Sequence, residues 1–178
     1  MKYAVNKTLN KLDIKNFRRQ LNLTQKELAT LLNVSYKTVE NWESGNKDIS
    51  GPAVVLLSLY KNNPYLIKLL TVEENKLKER FYYMDGNYVS TIIDVDFAKR
   101  EVEFKNYTNN IDARAFGNKE IVSFDEFEDF MESRCFPRSR DMQKIELERI
   151  GVPFYDPLLI IEKTKGRVEG DNYWIRKE

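Results

Sequence analysis

The chain has no histidine among its 178 residues and a single cysteine, Cys135. Without imidazole, neither a Ser-His-Asp nor a Cys-His nucleophile can be assembled. A zinc site would have to rest on one thiolate and carboxylates. A lone cysteine makes no internal disulfide, and a cytoplasmic protein is expected. The seven glycines are scattered, so there is no glycine-rich phosphate loop. No apolar run reaches the roughly 18–20 residues of a membrane span. The opening MKYAVNKTLNKLDIKNF has basic residues but lacks the apolar core of a secretory signal. These absences remove most catalytic classes. The chain is read as a non-enzyme with no cofactor, no metal and no membrane partner.

What is present is a division of charge. The net charge is only +1, yet residues 1–70 hold eleven basic and five acidic side chains, whereas residues 81–178 hold fifteen and twenty. The basic part can meet a phosphate backbone that would repel the acidic part. Two domains with different partners are expected, 1–70 and 81–178, joined by a charged linker or helix extension over 71–80.

The first part reads as helical. Helix 1 is expected over 13–21, with Asp13 as its cap and Ile14, Phe17 and Leu21 on one face. Thr24-Gln25-Lys26-Glu27 is a capping box that opens helix 2, whose buried face is Leu28, Leu31 and Leu32. Asn33 tolerates a left-handed backbone and can end that helix. Ser35 can cap helix 3, expected over 36–43 and stopped by Gly45. Val39 and Trp42, three apart, turn to the core, so Lys37, Thr38 and Asn41 turn outward, with Tyr36 at the rim. Pro52 and Pro64 open two further helices. A short helix with hydrogen-bonding side chains near its N-terminus is suited to reading a DNA major groove.

The stretch LNLTQKELATLLNVSYKTVENWESGNKDISGPAVVLLSLYKNNPYLI resembles the λ-repressor-like (XRE) helix-turn-helix family. The residues that carry this are Leu-Thr-Gln-x-Glu-Leu-Ala, the Val-Ser turn and Val-x-x-Trp-Glu-x-Gly. The Ser-Gly-Pro-Ala run followed by Asn-Pro is similar to the DNA-binding domains of antitoxins of the MqsA and HigA kind. The resemblance implies a five-helix domain that binds operator DNA. It implies a phosphate contact for Gln25, base-facing positions for Tyr36, Lys37, Thr38 and Asn41, and backbone contacts for Ser35 and Asn46.

The second part alternates. A strand region over 83–95 and a second strand through Val102, Phe104 and Tyr107, connected by 97–100, read as an antiparallel hairpin. Ser123-Phe124-Asp125-Glu126 opens a helix. Ser139 and Asp156-Pro157 open two more, and 171–176 reads as a final short strand. The whole chain is then α+β: a five-helix domain, then a small α+β domain with a hairpin and three helices.

Three features there invite chemistry. Asp94 and Asp96 share a strand face and could hold a divalent cation for a nuclease, or form a solvated acidic strand end. Arg134, Arg138 and Arg140 could bind phosphate or pair with nearby acids. Cys135 has no histidine to activate it and reads as half-buried. YTNNIDARAFG, ESRCFPRSR, YDPLLIIEKTKGR and DNYWIR also resemble small bacterial proteins associated with HipA-like kinase toxins, which names no activity. The expected function is a sequence-specific transcriptional regulator, an antitoxin-like repressor, binding operator DNA as a homodimer, with the acidic domain binding a protein partner or contributing to the dimer contact. The alternative is an inhibitor of a toxin or phage-defence nuclease that autoregulates its operon.

Overall fold

The computed structural model describes residues 6–178, and the chain folds as two compact units that divide between Val72 and Glu73.

In the first unit, a two-residue strand β1 (Thr8–Leu9) precedes three helices, α1 (Lys11–Gln20), α2 (Gln25–Leu31) and α3 (Tyr36–Ser44). Strand β2 (Ile49–Ser50) follows and pairs antiparallel with β1. Two helices close the unit, α4 (Pro52–Asn62) and α5 (Tyr65–Leu70). Helix α1 starts two residues before the expected position. Asn10, not Asp13, is the cap: its side chain accepts the Leu12 and Asp13 amides, and Asp13 reaches back to the Asn10 amide at 3.0 Å. Asp13 is thus the third-residue partner of a capping box whose asparagine cap went unread. Thr24 and Glu27 make the expected box at the start of α2. Asn33 has φ +52°, the left-handed turn between α2 and α3.

Ile14, Leu28, Val39, Val54 and Leu57 form the centre of the first core, each at most 2% exposed. Trp42 and Leu31 lie partly buried at its edge. Gly45 ends α3 without a left-handed backbone, since its φ is −72°. The glycine is needed for a different reason: a Cβ there would stand 2.6 Å from the Asn41 carbonyl oxygen.

The second unit is built on four antiparallel strands, β3 (Glu79–Asp85), β4 (Tyr88–Asp96), β5 (Glu101–Asn106) and β6 (Tyr173–Lys177), in the order β5-β4-β3-β6. The single strand expected over 83–95 is therefore two strands. Gly86-Asn87 joins them, with Gly86 at φ +55°, in the two-residue hairpin arrangement that places glycine first. The expected hairpin with connection 97–100 is β4–β5. Helices α6 (Phe124–Ser133), α7 (Gln143–Ile150) and α8 (Pro157–Thr164) complete the unit. Ser123 and Glu126 form the expected capping box, and Asp156 caps α8. Helix α7 is not capped by Ser139. It starts at Gln143 behind a left-handed Met142 that supplies no side-chain cap. Phe81, Tyr83, Ile93 and Val95 from the sheet pack against Phe127 and Met131 of α6 and Ile161 of α8. Aromatic edge-to-face pairs such as Tyr83–Phe130 and Phe97–Phe124 fill this layer.

Candidate nucleic-acid interface

Helix α3 packs on α1 and α2 through Val39, which is fully buried, and Trp42. Side chains on the other side of the helix are left to solvent. Asn41 is exposed, and its side chain makes no hydrogen bond among the described residues. Lys37, one turn earlier, is also exposed. Its Nζ donates to Glu40 at 2.7 Å, which raises the pKa of the ammonium. Tyr36 is 45% exposed at the helix start. Ser35 is committed to the helix end: its Oγ accepts the Thr38 amide at 3.1 Å and lies 2.7 Å from the Thr38 hydroxyl. Those two expected contact residues therefore share a hydrogen bond with each other. Asn46 lies beyond the helix, and its Oδ1 accepts from Lys11 Nζ at 3.1 Å.

Gln25 belongs to a network that the sequence reading did not see. Arg18 of α1 makes a two-pronged contact with Glu43 of α3, at 2.5 and 2.9 Å, and gives a third hydrogen bond to the Leu23 carbonyl. Gln25 Nε2 donates to Glu43 at 2.9 Å. The Glu43 side chain is 5% exposed and that of Arg18 is 16% exposed. The Arg18 hydrogen bond holds the Glu43 carboxyl below its ordinary range. The network ties the first residue of α2 and the end of α3 to α1, so it fixes the angle at which α3 is presented. Arg18 lies off the Ile14-Phe17-Leu21 face of α1, so the apolar spacing of that helix does not mark it. The pair joins residues 25 apart, beyond the reach of a local pattern. The amide of Gln25 uses one of its two N–H donors on Glu43, which leaves the other for a ligand.

The geometry is that of two helices joined by the tight Asn33-Val34-Ser35 turn, the second exposing a row of polar side chains. A helix-turn-helix family model matches residues 14–60. Residues 14–60 are thus a helix-turn-helix domain, similar to those of the XRE-type DNA-binding family. A stretch of 52 residues is 40% identical to antitoxin HigA-2 of Vibrio cholerae serotype O1 (strain ATCC 39315 / El Tor Inaba N16961), covering 29% of this chain and 50% of that relative. The chain thus spans half the length of the curated relative it matches.

Outside the helix-turn-helix domain, the residues singled out for chemistry are engaged in structure. Asp94 receives two hydrogen bonds of 2.6 Å from Arg80, and both side chains are almost buried. Asp96 accepts the Ala98 and Lys99 amides and pairs with Lys78 at 3.3 Å. Burial alone would raise the Asp96 pKa, but these donors outweigh it and hold the pKa low. The two carboxylates share a strand face but point to different partners. Among the described residues, no group of three or more His, Cys, Asp or Glu is placed to hold a metal ion.

Arg134 is a buried strut. It donates to the Gly166 and Tyr173 carbonyls and pairs two-pronged with Asp171 at 2.7 and 3.1 Å. Arg138 pairs with Glu132 at 2.7 Å and Arg140 with Glu146 at 3.7 Å. Cys135 is half-buried, and burial pushes its thiol up to about 12, far from a reactive thiolate. No helix among the described residues is long and apolar enough to cross a membrane.

Proposed function

We propose that the chain is a sequence-specific transcriptional regulator of the antitoxin-like repressor kind. In this reading the helix-turn-helix domain binds the operator of its own gene, and the C-terminal unit binds a protein partner. The observation that carries it is α3: a helix anchored from behind by Val39 and by the Arg18–Glu43–Gln25 network, with Lys37 and Asn41 exposed one turn apart. Asn41 can make a two-point contact to adenine, and Lys37 can donate to guanine once it leaves Glu40. Tyr36 and Thr38 lie at the same helix end, near the base edges. Gln25, Ser35 and Asn46 contact the phosphate backbone and set position rather than sequence. The name of the Vibrio relative supports the antitoxin part of the reading, in which the bound protein is a toxin. Inhibition of that protein and autoregulation of the operon are then two uses of one chain.

Operators for such domains present two half-sites about one helical turn apart, so the binding species is a homodimer. Val55 and Leu59 on α4, and Tyr65, Leu69 and Leu70 on α5, leave large apolar side chains 39–61% exposed. That surface is one a second copy of the chain would cover. Titration of the full chain with a duplex from upstream of its own gene, against a scrambled duplex, tests the reading. Tight binding to the first, weakening as salt rises, is expected. Equal affinity for both duplexes would reject it.

A further inference from the structure

Among the described residues, strand β6 lies at the edge of the C-terminal sheet and is paired only with β3. Antiparallel pairing turns alternate residues toward the neighbour and away from it. The Glu178 amide donates to the Arg80 carbonyl and the Gly86 amide to the Asn172 carbonyl. The even-numbered residues therefore serve β3, and Tyr173, Ile175 and Lys177 direct their backbone groups outward. The first half of this outward row is occupied. The Tyr173 amide donates to Asp171 at 3.0 Å, the Tyr173 carbonyl accepts from Arg134 at 3.0 Å, and the Ile175 amide donates to the Lys165 carbonyl at 2.7 Å. The Ile175 carbonyl and the Lys177 amide have no protein partner among the described residues. They form the acceptor–donor pair that one residue of an incoming parallel strand engages.

Beside this open stretch, between β6 and α8, runs a groove of about 480 Å³. Phe81, Leu158, Ile161 and Trp174 supply apolar walls, and Glu162 is the one acidic residue in its lining. The rim is basic. Lys165 stands over the Trp174 ring and Arg176 over the Tyr82 ring, and neither has a carboxylate within ion-pair distance among the described residues. The contrast with the rest of the unit is sharp: residues 81–162 hold ten basic and seventeen acidic side chains, and residues 163–178 hold five and three. Of those three acids, Asp171 is taken by Arg134.

We propose that this groove takes an extended, acidic segment of another protein, which adds to the sheet as a strand against Ile175 and Lys177. Backbone pairing supplies the register, the apolar walls take alternate side chains, and Lys165 and Arg176 select carboxylates on the others. The proposal rests on the partner-binding half of the reading above and narrows it to one surface and one chemistry. Charge complementarity places the contact on the basic C-terminal corner, not on the acidic surface of the unit.

The test is a titration of the ¹⁵N-labelled full chain with a nonapeptide of alternating glutamate and valine. The expected result is amide shifts confined to β6 and α8, with slowed exchange at Lys177. Lys177→Pro removes the outward N–H without touching the β3 ladder, and it should weaken binding about tenfold, the worth of one such hydrogen bond. Lys165→Glu with Arg176→Glu should abolish binding of this peptide and permit binding of its lysine counterpart. The second variant keeps the test decisive if the first fails to fold. No shift at β6 at millimolar peptide, equal binding of a peptide N-methylated at alternate residues, or tighter competition by an oligothymidylate would each overturn the proposal. Shifts elsewhere on the C-terminal unit would overturn the groove while leaving a protein partner in place, and DNA binding would be unaffected by either result.

Discussion

Glu43 is the residue on which the presentation of α3 turns. Its carboxylate, 5% exposed, receives Arg18 on two prongs and Gln25 on a third bond. Removing one partner of a buried pair leaves the other charge without compensation, at a cost on the order of 3 kcal/mol. Glu43→Gln should lower the melting temperature of the full chain and weaken DNA binding, because both helices lose their brace. The pH dependence has a definite sign. Arg18 holds the folded-state Glu43 pKa below its unfolded value of about 4.3. Its contribution is therefore complete above that pH and is lost as pH falls through the folded value. The gap in melting temperature between wild type and Glu43→Gln should be widest near neutrality and shrink below about pH 4. A gap that does not depend on pH would show that the charge on Glu43 plays no part. Gln25 gives a separate reading. Gln25→Ala should weaken operator and scrambled duplex by similar factors, because a phosphate contact carries no base information.

Helix ends show at the next scale what a local pattern can and cannot reveal. The Thr24–Glu27 and Ser123–Glu126 boxes were legible because the signal lies within four residues, and both form. The cap at Asn10 was missed because Asp13 is itself a good cap, and only the three-dimensional start of the helix separates cap from third residue. The β3–β4 hairpin was missed because the run Phe81-Tyr82-Tyr83-Met84 has no alternation of its own to mark a separate strand, and the alternation of Val89, Thr91, Ile93 and Val95 was read back through Gly86-Asn87. The β1–β2 pair joins residues forty or more apart, and neither two-residue strand has a pattern of its own. In the helix-turn-helix domain the exposed positions of α3 were legible from the core spacing of Val39 and Trp42. The Ser35 cap was legible too, and it forms. The Arg18–Glu43–Gln25 brace and the contact between the Ser35 and Thr38 hydroxyls were not, because they depend on how helices meet and which rotamers they take.

Two substitutions test the element-level account. Thr24→Ala should cost about 1 kcal/mol of stability by removing the acceptor for the Glu27 amide, measured by denaturant unfolding. Gly45→Ala should do more harm to DNA binding than its size suggests. Its Cβ would press on the Asn41 carbonyl and shift the end of α3, and with it the side chain of Asn41. Binding by Gly45→Ala at wild-type strength would contradict that picture.

At the scale of the whole molecule the division of charge fits the roles proposed for the two units. The basic unit contains the helix-turn-helix domain, and the acidic unit repels a phosphate backbone except at its C-terminal corner. In the proposed homodimer, contact through α4 and α5 would set two copies of α3 in successive major grooves on one face of the duplex. Leu69→Glu, at a side chain 58% exposed, should leave the fold intact and shift sedimentation from dimer to monomer. It should also weaken operator binding more than binding to a single half-site. Unchanged sedimentation would move the dimer contact away from α5.

Base reading by the exposed face of α3 is measured by the ratio of operator to scrambled-duplex affinity for the wild-type chain and for Asn41→Ala, at one salt concentration. Asn41 is exposed and its side chain makes no hydrogen bond among the described residues, so the substitution should leave the fold as it is. Asn41→Ala should lose about 1–3 kcal/mol of discrimination while keeping most of its affinity for scrambled DNA. An unchanged ratio in a folded Asn41→Ala protein would contradict this expectation, because α3 would then not be reading bases from that face.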